Sequence, residues 1–310
     1  MGLHTILGAG GAIGNELIPI LQAESASVRV VSRGAVPRDG IEAIVADLTD
    51  LESTVKAVTG SSVVYLLAGL KYDVRVWSLQ WPKIMSNVIQ ACKASSSRLI
   101  FFDNVYMYGP VQGAMTEETP FRPVSRKGEV RAQIARQLLD EMSSGNIKAL
   151  IARSADFYGP SGDRTSVPNI MVFAKLADGK KAQWLCNADV PHSLTYIPDA
   201  ARALYHLAGR EDAFGQTWHL PTAANPLTGR ELISAAAGAI HVPNRCTVLP
   251  KWMMSVGGLF DRTVKEAVEM AYQSDRPYIF DSTKFNAAFK FEPVPYEEGI
   301  VRTAERYRKR

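Results

Sequence analysis

Gly8-Ala9-Gly10-Gly11-Ala12-Ile13-Gly14 follows directly on the apolar run Leu3 to Leu7, and the reading of this stretch decides the fold. A phosphate pair binds where backbone amides and the positive end of a helix converge, and glycine is needed there because a β-carbon would hold the pyrophosphate away. Gly8, Gly11 and Gly14 keep the three-residue spacing that places all three around one strand-to-helix turn, with Ala12 and Ile13 opening the helix. A strand before the glycines and a helix after them, in the first βαβ unit, is the context that marks a dinucleotide site.

Outward from that turn, short apolar or β-branched runs alternate with longer amphipathic segments, as parallel strands joined by crossover helices require. The pattern predicts strands at Leu3 to Leu7, Val28 to Val31, Ala43 to Val45, Val63 to Leu67, Leu99 to Phe102 and Ala149 to Arg153. Helices are predicted at Ala12 to Ala23, Leu51 to Val58, Trp81 to Ala94 and Lys127 to Ser143, with a kink at Pro19. After Pro160 the alternation loosens. Helices are expected at Val167 to Ala177, Pro198 to Leu207, Gly229 to Ala239, Pro250 to Tyr272 and Tyr296 to Tyr307, with a hairpin-like segment around Gly179 to Trp184. The expected architecture is α/β: a doubly wound parallel Rossmann sheet with a smaller, interleaved carboxyl-terminal substrate region. Residues 1–160 form the dinucleotide-binding part and 161–310 mainly the substrate-binding part, with about 190–220 returning to the first.

Length and composition bound the alternatives. A chain of 310 residues with 46% hydrophobic side chains buries a large core. The net charge of +4 is spread along the chain apart from Arg306, Arg308, Lys309 and Arg310, a run too short for a nucleic-acid arm. Three widely spaced cysteines, Cys92, Cys186 and Cys246, fit a reduced compartment with no disulfide, and neither they nor the five histidines keep metal-ligand spacing. No apolar run reaches membrane-spanning length, and no basic stretch or cleavage site precedes the first strand. The expected compartment is the cytoplasm, with a small-molecule substrate and neither a membrane nor a nucleic acid as partner.

The end of the second strand addresses the adenosine ribose. An acidic residue there would accept the 2′-hydroxyl of NAD, yet the chain offers Val31, Ser32 and Arg33, with no carboxylate until Asp39. Arg33 reads as the partner of a 2′-phosphate through its planar donors, with Ser32 as a short hydrogen-bond partner and Arg38 as a further helper, which favours NADP over NAD; the alternative is that Arg33 is a solvated loop cation. Asp47 and Leu48 close the third strand where an adenine edge is contacted; the alternative for Asp47 is a helix cap. Ala68 and Gly69, after the fourth strand, are small enough for the backbone to approach the cofactor.

With GAGGAIG, Asp47-Leu48, Leu67-Ala68-Gly69, Tyr108-Gly109, Tyr158-Gly159-Pro160 and HSLTYIPDAARAL (His192 to Leu204) in order, the chain resembles the extended short-chain dehydrogenase/reductase family, also called the NAD-dependent epimerase/dehydratase family. The resemblance covers nearly the whole chain. It implies NAD(P) at the carboxyl edge of the sheet and a carboxyl-terminal region gripping a substrate, often a nucleotide sugar, with helix-paired dimers common. It also implies that Ser154 to Phe157, with Ser154 and Phe157 as contacts, run beneath the nicotinamide. In active members a serine or threonine and a tyrosine polarise the reacting carbonyl or alcohol, and a lysine four residues after the tyrosine assists it and holds the ribose.

Here the chain departs from the resemblance. Asn104 stands at the serine position, Lys127 at that of the tyrosine and Arg131 at that of the lysine, and none of the eleven tyrosines has a lysine four residues later. Asn104 retains an amide donor for a carbonyl oxygen. For the helix three readings stand: Lys127, desolvated beside Arg131, donates or accepts the proton; Arg131 binds cofactor ribose or phosphate; or Lys127, Glu129, Arg131 and Arg136 form an ordinary exposed face. Tyr106 and Tyr72 are candidates to replace the lost phenol, and Lys71, Asp156 and His192 also face a possible substrate. His192 reads equally as a core ring beside Pro191, and Trp77, Trp81 and Trp184 as an apolar wall or as core. Two functions follow: an NADP-dependent oxidoreductase or epimerase/dehydratase with an unusual proton relay, or a cofactor-binding sensor or scaffold that has lost catalysis.

Overall fold

The computed structural model describes residues 2–34 and 40–308. Arg38, Lys309 and Arg310 lie outside the described residues. The chain divides into two compact units, the first made of residues 1–107, 127–153 and 201–218, the second of 108–126, 154–200 and 219–310.

In the first unit, β1 (Leu3–Leu7), β2 (Ser27–Ser32), β3 (Glu42–Val45), β4 (Ser61–Leu66) and β5 (Arg98–Asp103) join the strands Ala149–Arg153 and Thr217–His219 in one sheet. Its order runs Thr217–His219, Ala149–Arg153, β5, β4, β1, β2, β3. The pairs from β3 through to Ala149–Arg153 are parallel, with Leu7 opposite Val31 on one side and Leu66 on the other. Such strands are covered on both faces, which is why β4 and Ala149–Arg153 are buried almost throughout. The doubly wound parallel sheet read from the alternation is therefore the observed one, and its order reverses between β1 and β4. That reversal opens a crevice at the strands' carboxyl ends.

The helices follow from local signals. Helix α1 (Ala12–Ala23) buries Ile13, Leu17, Ile18 and Leu21 along one stripe and runs unbroken through Pro19. Helix α2 (Leu51–Val58) starts where Asp50 accepts the Ser53 amide at 2.7 Å. Helix α3 (Val74–Ser95) begins nearly two turns before the expected Trp81, because Asp73 caps it by accepting the Arg75 amide at 3.0 Å. Helix α4 (Arg126–Ser143) stands one residue from its expected start.

The second unit carries three two-stranded parallel ladders: Asp156–Tyr158 with Leu194–Tyr196, Ala182–Leu185 with Cys246–Leu249, and Ala114–Met115 with Ile279–Phe280. The hairpin expected around Gly179 to Trp184 is thus corrected, since this segment pairs in parallel with a strand far along the chain. The single helix expected over Pro250 to Tyr272 is also corrected. It is two helices, Lys251–Gly257 and Arg262–Val268, separated by residues 258–261 and restarted where Asp261 accepts the Val264 amide at 3.2 Å. The core of this unit gathers Tyr158, Phe173, Trp184, Tyr196, Leu232 and Tyr296. Helix Tyr296–Arg308 approaches Tyr158 so closely that a β-carbon on Gly299 would stand 2.3 Å from the phenol oxygen.

Candidate functional site

The glycine turn sits at the point where the sheet order reverses. Gly8 has φ +96°, and a β-carbon there would lie 2.5 Å from the Ala68 Cα, so the loops after β1 and β4 meet backbone to backbone. The Gly8 amide donates to Val31 O at 2.8 Å and the Gly11 amide to Gly8 O at 3.3 Å, which folds the turn onto the end of β2. Gly14 packs on Ala9, whose carbonyl oxygen would stand 3.3 Å from an added β-carbon. Ala12, Ile13 and Gly14 are buried, and Gly10 faces open space. Gly11 is the N-cap of α1 with no side-chain cap, and the first turn carries no acidic residue. A twelve-residue helix therefore presents its positive end at the crevice with its amides unclaimed by any side-chain cap.

Around this turn, Ser32 is half-buried and its hydroxyl accepts the Gly34 amide at 3.4 Å, while Arg33 is exposed. Asp47 is exposed, and its carboxylate accepts the Thr49 amide at 2.9 Å and the Thr49 hydroxyl at 2.8 Å. These bonds, with Arg33 and Lys83 nearby, hold its carboxyl below the ordinary range. Asp47 thus forms a turn ahead of α2, whose cap is Asp50. Leu48 is half-buried, with its carbonyl held by Asn87 at 2.9 Å, and Gly69 is exposed beside Ala68.

At the end of β5 the first unit assembles a cationic and aromatic cluster. Asp103 and Arg131 are buried, with Arg131 Nε donating to Asp103 Oδ1 at 2.7 Å and its Nη2 donating to the same oxygen. The guanidinium lies 4.4 Å from the Trp81 ring centroid and 5.0 Å from that of Phe101. Arg153, also buried, stands 3.9 Å from Asp103 Oδ2. Lys127 is 0% exposed, its Nζ 4.5 Å above the Tyr72 ring. The exposed-face reading of Lys127 and Arg131 is therefore wrong: both point inward, because each meets an aromatic surface and Arg131 also meets a carboxylate. Asn104 is half-buried, and its side-chain oxygen accepts the Tyr106 amide at 3.1 Å, which orients the amide. Tyr106 stacks on Trp77 with centroids 6.1 Å apart.

Ser154 and Phe157 belong to the second unit. The Ser154 hydroxyl donates to Ala155 O at 2.7 Å, and Phe157 O accepts the Ser166 hydroxyl at 2.6 Å. In the same unit Asp156 and His192 form a pair at 2.9 Å. Sequence reasoning named Asp156 and His192 separately and missed Asp103 and Arg153 as partners in the buried ionic cluster. No spacing signals either pairing, because the residues meet across parallel neighbours. Among the described residues no group of three metal-capable side chains occurs, and no helix is long and apolar enough to cross a membrane.

The model of the NAD dependent epimerase/dehydratase family matches residues 4–220. A curated relative, 3beta-hydroxysteroid-dehydrogenase/decarboxylase isoform 2 of Arabidopsis thaliana, is 24% identical over 86% of this chain, which spans about half (52%) of that protein's length. Among solved structures, MoeE5 in complex with UDP-glucose and NAD superposes with a TM-score of 0.81 at 21% identity, covering 99% of both chains. The UDP-glucose 4-epimerase of Thermus thermophilus, in complex with NAD, gives 0.80 at 20% identity, again over 99% of both.

Proposed function

The chain belongs to the NAD-dependent epimerase/dehydratase family, and from that premise we propose that it binds a nicotinamide dinucleotide at the β1–β4 crevice and acts as an oxidoreductase or epimerase/dehydratase on a small carbonyl, alcohol or nucleotide-sugar substrate. The observation that carries this reading is the close backbone approach of Gly8 to Ala68 beside the uncapped start of α1, which brings the turn after β1 and the loop after β4 together at the positive end of that helix. Gly8, Gly11, Ala12, Ile13 and Gly14 hold the pyrophosphate, Asp47 and Leu48 the adenine, and Ala68 and Gly69 the passage between. Arg131, with Nε and Nη2 on Asp103, keeps Nη1 for the ribose.

A bound dinucleotide would supply hydride transfer at the substrate carbon. Asn104 donates its amide to the substrate oxygen, and Lys127 exchanges the proton of that oxygen, with Tyr106 as an alternative phenol. In alcohol oxidation the hydroxyl proton passes to the Lys127 amine, and in carbonyl reduction the ammonium returns it. Arg33 and Ser32 favour NADP, whereas MoeE5 and the Thermus epimerase were solved with NAD. Titrating both dinucleotides into the protein and into Arg33→Ala tests this part. A tenfold or larger loss confined to NADP is expected, and tighter NAD binding untouched by the substitution refutes it.

For the reaction, a carbonyl and alcohol panel is run with the dinucleotide that binds, and Lys127→Met is expected to lower kcat at least a hundredfold while dinucleotide affinity holds. Absence of dinucleotide binding overturns the whole reading. The bonding of Arg131 to Asp103 and to aromatic rings favours a second reading, a dinucleotide sensor without catalysis, which gains if Lys127→Met changes no rate.

A further inference from the structure

Along the helix Lys251–Gly257 and the turn after it, the second unit turns apolar side chains outward. Trp252 is 67% exposed, Met253 42%, Val256 52%, Leu259 80% and Phe260 89%. Trp252, Val256 and Phe260 follow at four-residue spacing, which sets them along one face, while Met254 on the other side is buried. An amphipathic helix ordinarily turns such a stripe to the core. At about 150–250 Å² per aromatic side chain, Trp252 and Phe260 alone leave roughly 250–400 Å² in solvent, already in the range of the largest patch on a typical monomer, about 300–600 Å².

The tip is closely built. A β-carbon on Gly258 would stand 3.1 Å from the Lys265 Cα, so the helices Lys251–Gly257 and Arg262–Val268 meet backbone to backbone. The Gly258 amide donates to Met254 O at 2.8 Å, that of Leu259 to Val256 O at 3.1 Å, that of Phe260 to Gly257 O at 3.0 Å and that of Asp261 to Gly257 O at 2.9 Å. All four amides of the tip are thus bonded within the helical hairpin, as entry into an apolar phase requires, because no water is there to receive them. The exposed charges of residues 251–268 are Lys251, Arg262 and Lys265 against one carboxylate, Asp261, which accepts the Val264 amide; Glu266 is buried.

We propose that this stripe docks the protein on an anionic lipid bilayer, with Trp252, Leu259 and Phe260 entering the boundary between headgroups and acyl chains and Lys251, Arg262 and Lys265 meeting the negative headgroups. Aromatic rings settle at that boundary, and basic residues beside it are drawn to anionic lipid. A second copy seated on the same stripe would bring these cations against their own kind, whereas a negative surface neutralises them. The stripe is far shorter than a membrane span, so the docking is peripheral. It revises the expectation of no membrane partner, which rested on the lack of a run long enough to cross.

The test is co-sedimentation of the full chain with vesicles of phosphatidylcholine and phosphatidylserine, seven to three, and with vesicles of phosphatidylcholine alone. Binding to the mixed vesicles is expected, at least about tenfold weaker without phosphatidylserine, about fivefold weaker in Lys251→Gln and at least about tenfold weaker in Leu259→Ser with Phe260→Ser. These positions are exposed, so the variants should melt with the unaltered protein. In the unaltered protein, lipid brominated on its acyl chains should quench Trp252, since Trp77, Trp81, Trp184 and Trp218 are buried, and the quenching should vanish in Trp252→Phe. No binding to the mixed vesicles, equal binding to phosphatidylcholine alone, or binding that survives the double variant, as binding through the basic run Arg306 to Arg310 would, overturns the inference. So does a dimer, seen by sedimentation velocity without lipid, that the double variant dissociates, because a second copy then covers the stripe.

Discussion

Replacing Asp103 by asparagine removes one charge and almost no volume from the cluster at the end of β5. Asp103 is 1% exposed and its two guanidinium neighbours, Arg131 and Arg153, are 3% and 1% exposed, so water cannot take over what the carboxylate supplies. Removing one partner of a buried pair costs about 3–5 kcal/mol, because the remaining charge stays buried. The contacts of Arg131 with Trp81 and Phe101 persist in the variant and place the expected loss near 3 kcal/mol, the lower end of that range of about 3–5 kcal/mol. Urea unfolding of the first unit, followed by near-ultraviolet circular dichroism, reads this loss. A cycle with Arg131→Met then isolates the pair, and its coupling should exceed about 1.5 kcal/mol. A loss below about 1 kcal/mol in Asp103→Asn, or additivity within about 0.5 kcal/mol, would refute the buried ion pair.

Gly8→Ala places a β-carbon at φ +96° and 2.5 Å from Ala68, and strain plus overlap should destabilise by about 2–5 kcal/mol and abolish dinucleotide binding, whereas Gly10→Ala, with nothing within 4 Å, should cost under about 0.5 kcal/mol by thermal melting. Gly299→Ala should lower the melting temperature, and Tyr158→Phe should recover part of the loss, because the phenol oxygen is buried without a hydrogen-bond partner and crowds that glycine. Full recovery by Tyr158→Phe is not expected, since the ring carbon Cζ would remain 3.0 Å from the added group. His4 is held below its ordinary value of 6.5 by burial first and then by Arg98, and its Nδ1 lies 3.0 Å from the Tyr65 hydroxyl. The native state favours the neutral ring, so the His4 contribution is fully present above pH 6.5 and is lost as pH falls below it. The difference in unfolding free energy between the protein and His4→Gln should shrink as pH is lowered through that window, and a constant difference would refute the argument.

The sequence by itself determined the parallel sheet and the turn that starts it. Glycine spacing, apolar runs and helix periodicity are local properties, and a doubly wound order follows from them with few alternatives; β1, α1, α2 and Ala149–Arg153 match their expected bounds. The family was legible for the same reason, since its motifs are short stretches of chain. Where a strand's partner is remote, as for Ala182–Leu185 and Cys246–Leu249, local pattern named the wrong neighbour. Only the tertiary structure decided the directions of Lys127 and Arg131, because a charged helix face reads as solvated until Tyr72, Trp81 and Asp103 are seen to cover it. The same holds for Asp156 and His192, thirty-six residues apart and joined through one hydrogen bond. A long-range pair leaves no trace in spacing, since the energy that fixes it arises only when the packed surroundings exclude water from both partners.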